Sequence, residues 1–188
     1  MTQKYKEARS NEYATCSDFC RIYVEQMNSL YLLSLLLTAD PQKAEQCFLS
    51  GFDDSLNNNS VFKERAHLWA RRTIILHAIR QLSPRPTDEN ELNEARLSPP
   101  IEKLRGEVQA HPNLVGILRL NSFGRFVFIM SVLEMYSNQE CSLLLGCSRR
   151  DVINARIAAV RRVASTITIE TDPERDVLAF AEGNYANR

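Results

Sequence analysis

A chain of 188 residues is long enough for two small domains or one medium one, and a hydrophobic content of 44% is enough to bury real cores. No apolar run reaches the roughly 18 residues that span a bilayer, and the first residues lack a signal-peptide core, so we expect a cytoplasmic protein without a membrane partner. The five cysteines are odd in number, which argues against a closed disulfide framework.

The charges balance over the whole chain, with 23 basic and 23 acidic side chains, but they are unevenly distributed. Residues 112–165 carry 7 basic and 3 acidic side chains, whereas the tail from residue 166 carries 2 and 5. The positive excess therefore lies on 112–165, where attraction to phosphates would need it. The acidic tail either screens that segment or keeps the protein soluble, and we favour solubility.

The amino-terminal part is predicted to form a polar arm over residues 1–18 and a three-helix domain over 19–82. A long apolar pattern with helical spacing starts near Ser17 and meets no Gly or Pro before Asp40-Pro41. Asp40 is predicted to cap a second helix that ends at the asparagines 57–59. A third helix, opened by Ser60 or Lys63, has an apolar face that includes Ala66, Trp69, Ala70, Thr73, Ile74, His77 and Ile79.

Residues 83–111 are rich in prolines and acids and are predicted to be a linker with one short helix near Ile101–Val108. A helical domain follows over 112–165, and an acidic tail over 166–188. In this domain we expect a short helix from Pro112 and another over Arg125–Met135, with Phe126, Val127, Ile129, Met130 and Leu133 facing inward. The predicted fold class is thus all-α, with two small helical domains joined by a Pro- and acid-bearing linker.

The most informative stretch is Ser137–Arg162, which reads SNQECSLLLGCSRRDVINARIAAVRR. Two helix-start signals lie in it, because Ser137 and Ser148 are each followed three residues later by an acid that can complete a capping box. Gly146, between them, suits a sharp turn between two helices. The pattern predicts a helix-turn-helix in which Cys141, Leu145, Cys147, Val152 and Ala155 face each other across the turn.

The second helix of this motif has one apolar and one basic side at about 100° per residue. Val152, Ala155, Ala159 and Val163 form the apolar stripe, and we expect Ile153, Ile157 and Val160 to widen it. The opposite side carries Arg150, Asn154, Ala158 and Arg161. Arg can pair with guanine, Asn with adenine, and Ala allows close approach in the major groove. Arg149 could reach a phosphate or a base and Arg162 a phosphate, although a helical hairpin with a solvated basic face remains the simpler alternative.

Two blocks of the chain resemble the small ECF-type members of the sigma-70 family. The block from Phe126 to Ser148, FVFIMSVLEMYSNQECSLLLGCS, resembles region 4, where a hydrophobic helix precedes Leu-Glu-x-Tyr-Ser and then Leu-Leu-Gly-x-Ser. The block from Tyr31 to Glu45, YLLSLLLTADPQKAE, resembles the start of region 2, where a Leu-rich helix runs into Thr-Gly-Asp-x-x-x-Ala-Glu. Together the blocks place the resemblance over most of residues 19–165.

The resemblance implies a promoter-recognising initiation factor that works with core RNA polymerase. Residues 19–82 would bind polymerase, through Glu45 and Phe48, and help to melt the −10 element. Trp69, Arg71 and Arg72 fall in the helix that usually meets the −10 strand. Residues 112–165 would read the −35 element of promoter DNA through Arg149, Arg150, Asn154, Arg161 and Arg162. A linker that lets the two domains separate would also allow an anti-sigma partner to clamp them together.

Simpler readings remain open for several of these residues. Trp69 on an apolar face is more often part of a core than a base-stacking platform. Arg71 and Arg72 form either a solvated face with nucleic-acid potential or structural pairs. A zinc site using Cys16 and Cys20 has no supporting CxxC or HxxxH spacing, so we predict no metal and no cofactor.

Two other functional classes compete with the initiation factor. The first is a sigma-derived DNA-binding regulator that no longer binds polymerase, and the second is a protein-interaction scaffold. An enzyme is not predicted, because the chain has no P-loop, no Gly-x-Ser-x-Gly and no HExxH motif.

Overall fold

The computed structural model describes residues 12–57, 61–86 and 112–170, with side chains from 114 to 166 in the last segment. Within these ranges the chain forms helices and connections, with one isolated antiparallel bridge between Tyr13 and Phe62. The predicted all-α class is confirmed. The predicted arm up to residue 11, the linker over 87–111 with its short helix, and the tail beyond 170 lie outside the described residues.

The amino-terminal half, residues 12–86, contains four α-helices. They are α1 (Cys16–Glu25), α2 (Met27–Thr38), α3 (Pro41–Leu56) and α4 (Ala66–Leu82), the last preceded by a 3₁₀ turn over Lys63–Arg65. Asp40 caps α3 as predicted, since its carboxylate accepts hydrogen bonds from the backbone N–H groups of Gln42 and Lys43 at 2.9 and 3.1 Å. The following Pro41 stands at the start of the helix, where its missing N–H costs nothing.

The first predicted helix is broken in two. Gln26, with φ −109° and ψ 17°, separates α1 from α2. No Gly or Pro marks this position, so the apolar spacing alone suggested one continuous helix. Residues at the end of the predicted arm are also ordered: Ala14 donates to the carbonyl of Val61 at 2.7 Å, and the rings of Tyr13 and Phe62 stack at 4.9 Å.

The carboxy-terminal half, residues 112–170, contains four further helices. They are α5 (Pro112–Leu118), α6 (Ser122–Phe128), α7 (Asn138–Leu145) and α8 (Arg149–Glu170), and a π-helical turn over Ile129–Leu133 continues α6. The helix predicted over Arg125–Met135 therefore begins earlier, where Asn121 caps it by accepting from the Gly124 N–H at 2.7 Å.

The π-helical turn overturns one detail of the predicted core. The wider turn changes which side chains face inward, so Leu133, expected to be buried, is 45% exposed. The segment then ends on Met135 at a left-handed φ of 59°, which directs the chain into α7.

One hydrophobic cluster joins the two halves. It contains buried side chains from both, such as Leu37 at the end of α2 and Phe126 in α6. Helix α2 contacts α5 and α6, and α4 contacts α7. The division into separate domains stays a prediction, while the described residues of both halves share a core.

Candidate nucleic-acid interface

The turn between α7 and α8 is built by local contacts that the sequence predicts. Ser137 and Glu140 form a capping box at the start of α7, with hydrogen bonds of 2.8 Å from the Ser137 N–H and 3.2 Å from the Glu140 N–H. Ser148 and Asp151 form the equivalent box at α8, at 3.0 and 3.1 Å. Gly146 ends α7 at φ 64°, a conformation that costs glycine nothing.

A further contact holds the turn closed. The hydroxyl of Ser142 donates to the carbonyl of Cys147 at 2.7 Å, so the side chain of one helix satisfies the backbone of the turn. Cys141, Leu145 and Val152 are buried beneath it.

One side of α8 is anchored and the other faces solvent. Val152, Ala159 and Val163 are buried against the rest of the carboxy-terminal half, where α8 packs on α5, α6 and α7. The predicted DNA-reading residues lie on the exposed side. They are Arg149, Arg150, Asn154, Arg161 and Arg162, all of them exposed.

The exposed arginines of α8 have free guanidinium groups within the part of the chain that the structure describes. None of the ion pairs formed among those residues includes Arg149, Arg150, Arg161 or Arg162. Asp151, the nearest acid in sequence, is occupied by the cap of α8. The helix therefore presents uncompensated positive charge, which is what a polyanion requires.

The apolar stripe of α8 is narrower than predicted. Ile153, Ile157 and Val160, expected to widen the buried stripe, are 36%, 44% and 43% exposed. Among the described residues, the neighbouring helices cover the side defined by Val152, Ala159 and Val163 and leave the outer part of the apolar arc partly exposed.

The predicted −10 residues line a groove between the two halves. Trp69, Arg71 and Arg72 of α4 form one wall, and residues from the end of the π-helical turn to the start of α7 form the other. The groove has a volume of about 480 Å³. Trp69 is partly buried and packs against a small cluster that includes Phe19 and Ala66, so one part of it belongs to the core while another lines the groove. Its indole N–H is buried without a hydrogen-bond partner among the described residues.

Arg71 is engaged across this groove. Its Nε donates to Glu134 Oε2 at 2.7 Å, its Nη2 makes a second short contact with Glu134 Oε1, and its Nη1 donates to Ser29 Oγ at 3.0 Å. The carboxylate is nearly buried, with 8% of the Glu134 side chain exposed. The hydrogen bonds to Glu134 raise the pKa of Arg71 against the opposing effect of burial. The arginine predicted to meet DNA thus binds the other half of its own chain.

Arg72 interacts with the same wall of the groove, through Tyr136. Burial raises the pKa of the Tyr136 phenol, and the charge and hydrogen bond of Arg72 oppose that rise. The positive charge of Arg72 also helps to lower the pKa of Glu140, after the larger effect of the hydrogen bonds from Ser137. Arg71 and Arg72 therefore both interact with residues that precede or open α7.

A second arginine, which the sequence did not single out, also connects the two halves. It lies in the carboxy-terminal half and binds a carbonyl of the amino-terminal half. Arg125 of α6 is 7% exposed and donates from Nε to the Leu37 carbonyl at 3.3 Å and from Nη1 to the Leu120 carbonyl at 3.1 Å. Leu37 lies in the last turn of α2, where the helix dipole favours a cation. Burial lowers the pKa of Arg125 to about 10. A basic residue within an apolar run, GRFVF, was the only sequence signal.

The two predicted polymerase-binding residues have different environments. Glu45 is exposed on α3, whereas Phe48 is half-buried and packs edge-on against Tyr23 with ring centroids 5.4 Å apart. The structure therefore assigns Phe48 a packing role within the amino-terminal half. Whether either side chain binds polymerase stays a prediction.

The described residues hold no group of three His, Cys, Asp or Glu side chains arranged to bind a metal ion. Cys16 and Cys20 are exposed, and Cys47 and Cys141 are buried thiols whose pKa burial raises to about 11. None of the helices in the described ranges is long and apolar enough to cross a membrane.

No protein-family model matches the chain, and no curated protein matches it.

Proposed function

We propose that this chain is an ECF-type sigma factor that binds core RNA polymerase and directs promoter recognition. In this proposal α7 and α8 are the helix-turn-helix of region 4, and α8 reads the −35 element. The amino-terminal half acts as region 2 and engages polymerase and the −10 element. Polymerase supplies all catalysis, and this chain supplies the choice of sequence.

The observation that carries the proposal is the basic side of α8, whose arginines are exposed and form no ion pair among the described residues. A capped helix that follows a three-residue turn has one side packed on the protein and the other lined by arginines and Asn154. This arrangement fits the major groove, where arginine pairs with guanine and asparagine with adenine. Core RNA polymerase enters the proposal as a partner because residues 31–45 and 126–148 resemble sigma regions 2 and 4.

Co-purification of the full chain with bacterial core RNA polymerase, followed by run-off transcription on a promoter library, tests the proposal. We expect a complex and defined start sites. The double variant Arg150→Ala/Arg161→Ala should keep the complex and lose promoter selection. Arg119→Ala is the matched control, because Arg119 is exposed in the same half but lies outside α8. Absence of both the complex and transcription would overturn the proposal.

A sigma-derived regulator that no longer binds polymerase is the second candidate, and one observation favours it. Arg71, the predicted −10 residue, is held by Glu134 and Ser29 rather than exposed for DNA. An initiation factor must give up this contact before α4 meets a DNA strand, whereas a regulator that uses only α8 can keep it. Duplex binding without polymerase binding would select the regulator.

An anti-sigma partner fits the first candidate. Such a partner would act by holding the two halves in the arrangement in which Arg71 is engaged. The expected result is lower polymerase binding when the partner is present, measured in the same co-purification.

A further inference from the structure

The outer side of α8 carries an apolar stripe that the described neighbouring helices leave exposed. Ile153, Ile157 and Val160 recur at the spacing that places side chains on one helix face, and each is at least 36% exposed. About 100° further around the same helix, Val152 and Ala159 are almost fully buried. Single exposed apolar residues need no explanation, but a continuous stripe on one helix indicates a surface that contacts a ligand.

The stripe lies among the arginines rather than apart from them. At about 100° per residue, Ile157 is within about 20° of Arg150 and about 40° of Arg161 around the helix axis. Ile153 lies about 60° from Arg150 on the same side. A ligand that lies along this side of α8 and contacts both arginines therefore also lies over Ile157.

The charge around the stripe selects the ligand. An apolar protein surface that covered Ile157 would also desolvate Arg150 and Arg161, which have no acidic partner among the described residues. Duplex DNA supplies phosphates and guanine acceptors for the arginines and, in the major groove, one apolar group: the 5-methyl of thymine. The seven-residue rise from Ile153 to Val160 is about 10 Å, the length of about three base pairs.

The side-chain type also suits this contact. Isoleucine and valine are branched at Cβ and hold one strongly preferred χ1 rotamer in a helix, so they lose little conformational freedom when they meet a methyl group. Their methyls are exposed before any ligand arrives. A flexible apolar side chain would pay a larger entropy cost for the same area.

We propose that Ile153, Ile157 and Val160 read thymine methyl groups, so that α8 selects a site with thymines in a segment of about three base pairs. The inference rests on the proposed DNA-binding role of α8 and adds the base that its apolar residues choose. Arg150, Asn154 and Arg161 then read guanine or adenine beside those thymines.

Replacement of thymine by deoxyuridine tests this directly, because it removes only the methyl group. The full chain, with and without core polymerase, is used to select a duplex from a random library, and each thymine of the selected site is then replaced singly. We expect about fourfold weaker binding at one or more positions, the value of one buried methyl. In Ile157→Ala or Ile153→Ala the loss at one such position should disappear.

Val24→Ala is the matched control, because Val24 is a β-branched residue exposed on α1, away from α8. It should keep the full response to deoxyuridine. Circular dichroism should give the same melting temperature for Ile157→Ala and the wild type, since the side chain is exposed.

The possible outcomes distinguish a failure of thymine reading from a failure of the proposed DNA binding by α8. Duplex binding that is indifferent to deoxyuridine at every position overturns thymine reading and leaves DNA binding in place. Selection of duplex by neither the free chain nor the polymerase complex overturns both. Loss of polymerase binding in Ile157→Ala, with unchanged duplex affinity, would make the stripe a protein contact and also overturn the inference.

Discussion

Arg71 and Arg125 lie between the two halves of the chain, whereas Arg150 and Arg161 lie on the solvent side of α8. The first pair is committed to partners inside the protein: Arg71 to the Glu134 carboxylate, and Arg125 to the carbonyls of Leu37 and Leu120. The second pair has no ion-pair partner among the described residues. The same side chain thus has a structural role in one region and is available to a ligand in the other.

The two predicted DNA-binding sets carry the same kind of charge. They differ in how accessible their side chains are to a ligand. Arg71, Arg72 and Trp69 line a groove whose other wall belongs to the second half of the chain, and Arg71 must give up its contact with Glu134 before it can bind a ligand. The arginines of α8 need no such change. If both sets bind DNA, the arginines of α8 can do so in the observed arrangement, whereas Arg71 can do so only after it leaves Glu134.

The largest effect on folding should come from Arg125. Arg125→Ala removes a buried side chain, leaves a cavity and strips two carbonyls of their donor, so we expect a loss of about 2–4 kcal/mol in the free energy of unfolding. Urea denaturation measures it. Arg125→Met fills the space without a buried charge and should stay much closer to the wild type. A loss below about 1 kcal/mol in Arg125→Ala would mean that the contact between the halves contributes little to stability.

Arg71 should have the next largest effect. Arg71→Ala leaves the nearly buried Glu134 carboxylate without its cation, and we expect a loss of about 1–3 kcal/mol. A double-mutant cycle with Glu134→Gln should give a coupling of about 1–2 kcal/mol. Arg80→Ala is the control, since Arg80 meets Asp54 at 3.8 Å on the exposed surface and should change stability by less than about 0.5 kcal/mol. Equal losses in Arg71→Ala and Arg80→Ala would show that the ion pair between Arg71 and Glu134 stabilises the fold no more than an exposed pair does.

The cap of α7 should give a smaller, pH-dependent effect. Hydrogen bonds from Ser137 hold the pKa of Glu140 below its usual 4.5. A depressed carboxyl pKa adds stability above the unfolded pKa, and that stability is lost as pH falls below 4.5 through the folded pKa. Glu140→Gln keeps a side chain that can complete the cap but does not titrate, so its melting temperature should fall less between about pH 5 and pH 3. An identical fall in melting temperature in both proteins would show that protonation of Glu140 does not contribute to the loss of stability in acid.

The smallest effect on folding should come from the arginines of α8. Arg150→Ala and Arg161→Ala should each change the free energy of unfolding by less than about 0.5 kcal/mol, because both side chains are exposed and form no ion pair with a described residue. In a DNA-binding assay Arg150→Ala should cost about 1–3 kcal/mol of discrimination if it reads a base. A uniform loss across all sequences would instead identify a phosphate contact, with a shallower dependence on salt.

The sequence predicted the elements whose partners are close along the chain. Asp40 with Pro41, Ser137 with Glu140, Ser148 with Asp151, and the turn at Gly146 are all found as expected. Each depends on hydrogen bonds that span five residues or fewer, so the residue types and their spacing are sufficient. The all-α class follows for the same reason, since helical spacing of apolar residues is a local pattern.

The sequence does not show which helix faces are covered by other parts of the chain, because that depends on contacts between distant segments. Arg71 and Glu134 are 63 positions apart, and Arg125 and Leu37 are 88 apart, so no local pattern contains their contacts. The apolar arc of α8 extends past the side that α5, α6 and α7 cover, and the sequence cannot show where that cover ends. Ile157 was therefore expected inside and lies outside. Local chemistry determines where helices begin and end, and the packing of distant segments determines which of their faces remain open to a ligand.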